Sequence, residues 1–299
     1  MATLRPRAVL VTRPTDYERL LAVHATREQA AFFLRSRGQD IEALYDQHLA
    51  FLLALRAVQA AIPHAWRIAR AGREELDRFL FGPEDVVLVV GQDGLVANVA
   101  KYLRGQPVLG VNPAPELNEG ALVRLKPDQV GRLLVATFES AADIERRTMV
   151  SASLDDGSTL TALNEVFVGH RSHQSARYVI TVDGKSERQS SSGVIIATGT
   201  GATGWARSIM TSTRHALPLK PADRRLAFFV REPWPSVATG ASIAWGPLGA
   251  SDDLTIVSNM NEGGVIFADG LEQDHIRFDW GRTVRVGVSS ATLNLVQGD

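Results

Sequence analysis

Apolar runs and helical spacing alternate over the first third of the chain. Residues 8–12, 65–69, 86–90 and 107–111 are short runs rich in Val, Leu, Ile and Ala, and each reads as a strand. Between the first two lies a long segment in which Leu44, His48, Phe51, Leu52, Leu55 and Val58 recur at three- and four-residue spacing. That period predicts a helix over 41–61 with its apolar stripe facing a core. Residues 15–38, with Leu20, Val23, Ala30, Phe33 and Leu34, also read as helical. Strands alternating with helices are the pattern of a parallel sheet covered by helices.

After about Leu117 the helical period gives way to alternating runs closed by turn residues. Strands are predicted at 150–154, 159–168, 176–182, 194–198, 227–231, 254–258, 265–268 and 283–288. Asp155-Asp156-Gly157-Ser158, Asp183-Gly184-Lys185, Asn261-Glu262-Gly263-Gly264 and Asp269-Gly270 supply the turns between them. Many short strands at this spacing predict a β-rich, largely antiparallel domain, with 214–225 as a connector carrying Pro218 and Pro221. The expected architecture is α+β in two domains: 1–117 an α/β domain, 118–289 a β-rich, sandwich-like one.

Composition narrows the function classes. The 299 residues carry 32 Lys and Arg against 33 Asp and Glu, a net charge of -1, so no basic surface for nucleic acid or an anionic membrane is expected. With no cysteine there is no disulfide framework, no Cys-ligated metal and no thiol nucleophile. His170 and His173 sit three apart, but a metal site needs a third ligand that the sequence does not indicate, so no metal ligand is assigned. The start, with Arg5 and Arg7 before a short apolar run, is neither a secretory signal nor a long transit segment, so a cytoplasmic location is expected.

Three loops have the residue types that chemistry needs. The strand at 86–90 runs into Gly91-Gln92-Asp93-Gly94 and then a helix with Val96, Val99, Ala100 and Leu103 on one face. Ligands of open α/β sheets bind at the carboxyl ends of strands, and glycines before a helix N-terminus let backbone approach a phosphate. Asp93 could take a proton from an attacking hydroxyl there, or simply cap the helix. Asn164-Glu165 offers an amide that can read a base edge and a carboxylate that can take ribose hydroxyls, or it is a solvated turn. The strand expected over 194–198 enters the loop Thr198-Gly199-Thr200-Gly201-Ala202-Thr203-Gly204-Trp205, hydroxyls and open backbone followed by a ring that can stack.

In this order the three loops resemble those of the NAD kinase family, over nearly the whole chain. That family has Gly-Gly-Asp-Gly-Thr after a strand, an Asn-Glu or Asn-Asp pair, and a Thr-rich loop ending in an aromatic residue. The mitochondrial-type branch is the nearer likeness, through Asn112-Pro113-Ala114-Pro115-Glu116, residues 162–169, Ser191-Ser192-Gly193, Thr198-Gly199-Thr200-Gly201 with Trp205, and Val230-Arg231-Glu232-Pro233.

The resemblance implies an α/β N-terminal domain, Rossmann-like, a β-rich C-terminal domain, ligand between them, and residues 290–299 returning to the first. It implies transfer of the γ-phosphoryl group of ATP, with Mg²⁺, to the 2′-hydroxyl of the adenosine ribose of NAD⁺, Asp93 acting as base. Gly91, Gly94 and Asn112 would line the phosphates, Asn164 and Glu165 the adenosine, and Thr200, Gly201, Thr203, Trp205 and Ser208 the nicotinamide nucleotide. A homodimer is implied in the same way. Gln92 and Leu95 depart from the family's Gly and Thr: a Gln side chain narrows the phosphate loop and Leu95 removes a hydroxyl. Two other readings stand beside this one, a phosphotransferase acting on another nucleotide, lipid or sugar hydroxyl, and a non-catalytic NAD-binding protein.

Overall fold

The computed structural model describes residues 6–116 and 119–298. The expected boundary between 117 and 118 and most of the basic start at 1–7 lie outside those residues. The chain divides into two compact units, 1–145 with 294–299, and 146–293.

Unit one is a parallel sheet with helices. Its strands are β1 (Arg7–Thr12), β2 (Arg67–Gly72), β3 (Asp85–Val90) and β4 (Pro107–Val111), in the order β2-β1-β3-β4. Residues 294 and 295 continue the sheet, pairing parallel to β4 at Pro107 and Val108. The central strand β3 is buried along its whole length, which is why Val86 to Val90 form a continuous apolar run rather than an alternating one. Where one helix was expected over 15–38, there are two, α1 (Asp16–His24) and α2 (Arg27–Arg35). Ala25, at φ 62°, ends the first, and the Thr26 hydroxyl caps the second by accepting the Gln29 N–H. The long helix α3 (Ile41–Ala61) runs as the spacing predicts, with Asp40 as its cap. Phe51, Leu55 and Val58 pack with α5 (Val130–Phe138) against β1, β3 and β4. The helix α4 (Asp93–Ala100) is buried from Leu95 to Ala100.

Unit two is built from two antiparallel layers. One holds β5 (Ile144–Leu154), β6 (Thr159–Ala162), β8 (Ala176–Val182), β9 (Lys185–Ser191), β13 (Asp253–Ser258) and β16 (Thr283–Val296). The other runs β12 (Trp245–Leu248), β11 (Leu226–Val230), β10 (Val194–Ala197), β7 (Glu165–His170), β14 (Gly264–Ala268) and β15 (Ile276–Arg277). Strand side chains alternate between faces. Val166, Val168, Val194, Ile196, Phe228 and Ile266 accordingly meet Val150, Tyr178, Ile180 and Ile256 in the core between the layers. The other face of the second layer, Phe167, Ile195, Phe229, Val265 and Phe267, is covered by the helix α6 (Trp205–Thr213). The run expected as one strand over 159–168 is two, interrupted at Leu163-Asn164. Their N–H groups donate to the Asp269 carboxylate at 3.0 and 2.6 Å instead of to a sheet neighbour.

Candidate functional site

In unit one the site residues gather at the carboxyl ends of neighbouring parallel strands. Val90 pairs with Val111, so Gly91 and Asn112, one residue beyond each, come side by side, and the Gly91 N–H donates to the Val111 carbonyl at 3.1 Å. Asn112 is buried and its Oδ1 accepts the Ala114 N–H at 3.0 Å, so it shapes the turn after β4. Asp93 opens α4 and is half-buried. Its Oδ1 accepts the Leu122 and Val123 N–H groups at 2.8 and 3.0 Å, and Oδ2 accepts that of Ala121 at 2.8 Å. The segment so held lies against β4: a Cβ on Gly110 would stand 2.1 Å from the Leu122 carbonyl oxygen, and no larger residue fits. Asp93 therefore does not cap the helix, whose start has no side-chain capping bond, but ties α4 to a segment about 30 residues later. Gly94 is exposed, with open space where a side chain would be.

The two departures from the family loop take different places. Leu95 is buried beneath Gly91, a core residue rather than a ligand contact. Gln92 is exposed and turns to Arg13, whose Nη2 donates to its Oε1 at 2.5 Å, and both side chains line a cavity beside Gly91. Arg13 follows β1 at the same sheet edge. It was missed by sequence reasoning, though a cation just past an apolar strand at the ligand-binding edge was the available signal.

In unit two Asn164, Glu165, Thr200, Gly201 and Thr203 form one packed locus. The Thr198 N–H donates to the Asn164 carbonyl at 2.9 Å and its hydroxyl to the Leu163 carbonyl at 2.6 Å. A Cβ on Gly201 would stand 2.2 Å from the Asn164 carbonyl oxygen, so only glycine permits this approach. The Thr203 hydroxyl donates to the Thr200 carbonyl at 2.9 Å, whereas Thr200 Oγ1 is buried with no hydrogen-bond partner among the described residues. An orphaned buried hydroxyl in a glycine-rich loop is a group that a polar ligand can satisfy.

Glu165 begins β7 and shares the outer face with Phe167; it is buried, not part of a solvated turn. Burial, and then the charge of Asp269, raise its carboxyl from 4.5 to about 7. Asp269 was missed as a positioning group; it holds the 163 and 164 amides from the Asp-Gly turn, at φ 51°. Trp205 stacks on Phe167 with ring centres 5.9 Å apart, Phe267 stacks on Phe167 at 4.7 Å, and the Arg231 guanidinium lies 5.2 Å above Trp205. These rings and cation, with His170, His173 and Ser192, line a cleft of about 520 Å³. Ser208, one turn into α6, is exposed, and its N–H donates to the Gly204 carbonyl. His275 is exposed, with Nδ1 2.9 Å from the Glu272 carbonyl.

One unit with a parallel sheet and helices and one of two antiparallel layers, with glycine-rich loops after buried strands, define the class of fold. The fold is that of solved NAD kinases. An NAD kinase from Archaeoglobus fulgidus in complex with ATP superposes over 98% of this chain and 94% of its own, TM-score 0.58, at 19% identity. Yeast NADH kinase complexed with NADH superposes over 99% and 85%, TM-score 0.58, at 17% identity. In sequence the chain is similar to an NAD kinase from Methanoculleus marisnigri, 38% identical over 127 residues, 42% of this chain and 46% of that relative. Human mitochondrial NAD kinase 2 is 26% identical over 254 residues, 68% of this chain and 58% of its own. The chain thus spans about half the length of the curated relatives it matches. No family model matches it.

Proposed function

We propose that this chain is an NAD kinase, transferring the γ-phosphoryl group of ATP to the 2′-hydroxyl of the adenosine ribose of NAD⁺ to give NADP⁺. The observation that carries the reading is the locus in unit two, where loops 35 residues apart in sequence are locked together by Thr198 and Gly201 around Asn164 and the buried Glu165. Likeness to curated NAD kinases supports it independently.

In this reading Asp93 Oδ2, which carries a single N–H bond, takes the proton of the 2′-hydroxyl as that oxygen attacks the γ-phosphorus and the bond to the β-phosphate oxygen breaks. The three N–H groups fix the carboxylate in one orientation, which is the larger part of what a protein can supply in phosphoryl transfer. Glu165, able to hold a proton near neutral pH, donates to or accepts from a ribose hydroxyl beside Asn164, and Thr200 Oγ1 finds its partner on the bound nucleotide. Thr203, Trp205 and Ser208 contact the rest of the acceptor; Gly91, Gly94 and Asn112 line the phosphates. Among the described residues no cluster of three or more His, Asp and Glu could hold a metal ion. In this reading Mg²⁺ would arrive with the triphosphate, with most of its ligands phosphate oxygens and water, and would supply neutralisation of the phosphate charge.

No described helix is long and apolar enough to cross a membrane. A homodimer and a cytoplasmic location complete the reading, tested by light scattering and cell fractionation. The function itself is tested by incubating the purified protein with NAD⁺, ATP and Mg²⁺ and following NADP⁺ with a coupled NADP-specific dehydrogenase, beside Asp93→Asn. Product that collapses in the variant is expected. NAD⁺ binding by calorimetry without any product overturns the kinase reading.

A further inference from the structure

Arg13 is the feature of unit one that the kinase reading leaves unused. It is half-buried at the carboxyl end of β1 and lines a small cavity of about 90 Å³ with Thr15, Gln47, His48, Gly91 and Gln92. Its partner there is a neutral amide, Gln92 Oε1 at 2.5 Å, and no carboxylate lies within 4 Å of it among the described residues. Asp16, the acid that also lines the cavity, is bonded to Arg19 instead. Burial, and then the charge of Arg19, push the Arg13 guanidinium down; Asp16 pulls it up by less, and Arg73 adds a smaller downward push. A guanidinium remains charged at neutral pH whatever its surroundings. A partly buried cation hydrogen-bonded to a neutral amide lacks a directly paired anion to offset its lost hydration. The cavity sets this cation beside Gly91, at the loop that opens α4, where backbone also favours an anion.

We propose that Arg13 binds the phosphate chain of the phosphoryl donor and that Gln92 is the positioning residue that holds its guanidinium over the loop. The assignment rests on the kinase reading of the same site and names its donor as a polyphosphate anion. It also accounts for Gln92, because the side chain that departs from the family's glycine carries the acceptor that aims Arg13. The guanidinium fork bonds two phosphate oxygens at once, a geometry that a lysine ammonium does not reproduce.

The test is calorimetric binding of inorganic tripolyphosphate and of a β,γ-imido analogue of ATP, alongside KM and kcat. Arg13→Met is expected to weaken both probes about 10–100-fold, the range for a hydrogen bond to a charged group. NAD⁺ affinity should stay unchanged, and Arg13→Lys should recover part of the loss. Gln92→Leu should raise KM for ATP with kcat unchanged, and Gln92→Glu, which neutralises Arg13 with an ion pair, should raise it further. Because Gln92 is exposed, Gln92→Glu carries the test alone if Arg13→Met does not fold. Equal probe affinity in wild type and Arg13→Met, or no binding of either probe by the wild type, overturns the proposal. Probe binding that depends on Arg13 in a protein that forms no NADP⁺ upholds the clamp while the kinase reading falls; NADP⁺ formation indifferent to Arg13 does the reverse.

Discussion

Asp93 in unit one and Glu165 in unit two are carboxyl groups at the ends of apolar strands, and their surroundings are opposite. Asp93 is half-buried and receives three backbone N–H groups from residues 121–123. Glu165 is buried, receives no hydrogen bond on its carboxyl among the described residues, and lies near a second carboxylate, Asp269, which takes the local backbone N–H groups for itself. One group is a fixed acceptor tied into the backbone. The other is a group whose proton is held by burial. Two chemically similar side chains are thus given different roles by where the backbone amides point.

The largest effect that separates them is on turnover. Asp93→Asn is expected to cut kcat about 10²–10⁴-fold, the range for loss of a general base, with KM for NAD⁺ little changed. Equal turnover would leave Asp93 as only the clamp on 121–123. Next comes the pH dependence of stability. Because Glu165 is raised from 4.5 to about 7 in the folded protein, the native state holds a proton there that the unfolded chain gives up. Its contribution is fully present below about pH 4.5 and is lost as pH rises through about 7, amounting to about 3 kcal/mol at 1.36 kcal/mol per pH unit. Glu165→Gln removes that loss, so denaturant melts of wild type and variant should diverge between pH 5 and pH 8 in the variant's favour. Parallel curves would show that Glu165 ionises freely.

A smaller effect is expected at the loop contact beside Glu165. Gly201→Ala puts a methyl against the Asn164 carbonyl, 2.2 Å from the oxygen, and overpacking of this kind costs about 1–3 kcal/mol. Acceptor affinity should fall with it; unchanged melting midpoints would mean the loop reseats. The smallest is Thr200→Val, which replaces a buried hydroxyl that has no partner. Stability should hold or rise slightly, while NAD⁺ affinity drops about 2- to 10-fold, the worth of one neutral hydrogen bond. A drop in stability instead would show that the hydroxyl is bonded in the free protein.

Much of the fold was legible because burial writes a period into the chain. The helix at 41–61, the strand at 86–90 and the strand at 176–182 each carry one clear period, and each forms as expected. The strands at Lys185–Ser191 and Trp245–Leu248 were not legible, since each is the last strand of its sheet and its apolar pattern is weak. The split of 15–38 into two helices turned on Ala25 and the Thr26 cap, a local signal weaker than the apolar spacing around it.

Sequence by itself determined which residues are offered to a ligand: glycines, hydroxyls, an amide and carboxylates, set after strands by the need of a parallel or layered sheet to end in loops. Tertiary structure alone decided what each of them does with its bonds. Whether Asp93 is tied, Glu165 is buried, Thr200 is left without a partner or Gln92 turns to Arg13 depends on N–H groups and charges tens of residues away. A hydrogen bond is settled by distance and direction, and neither is written in the order of residues.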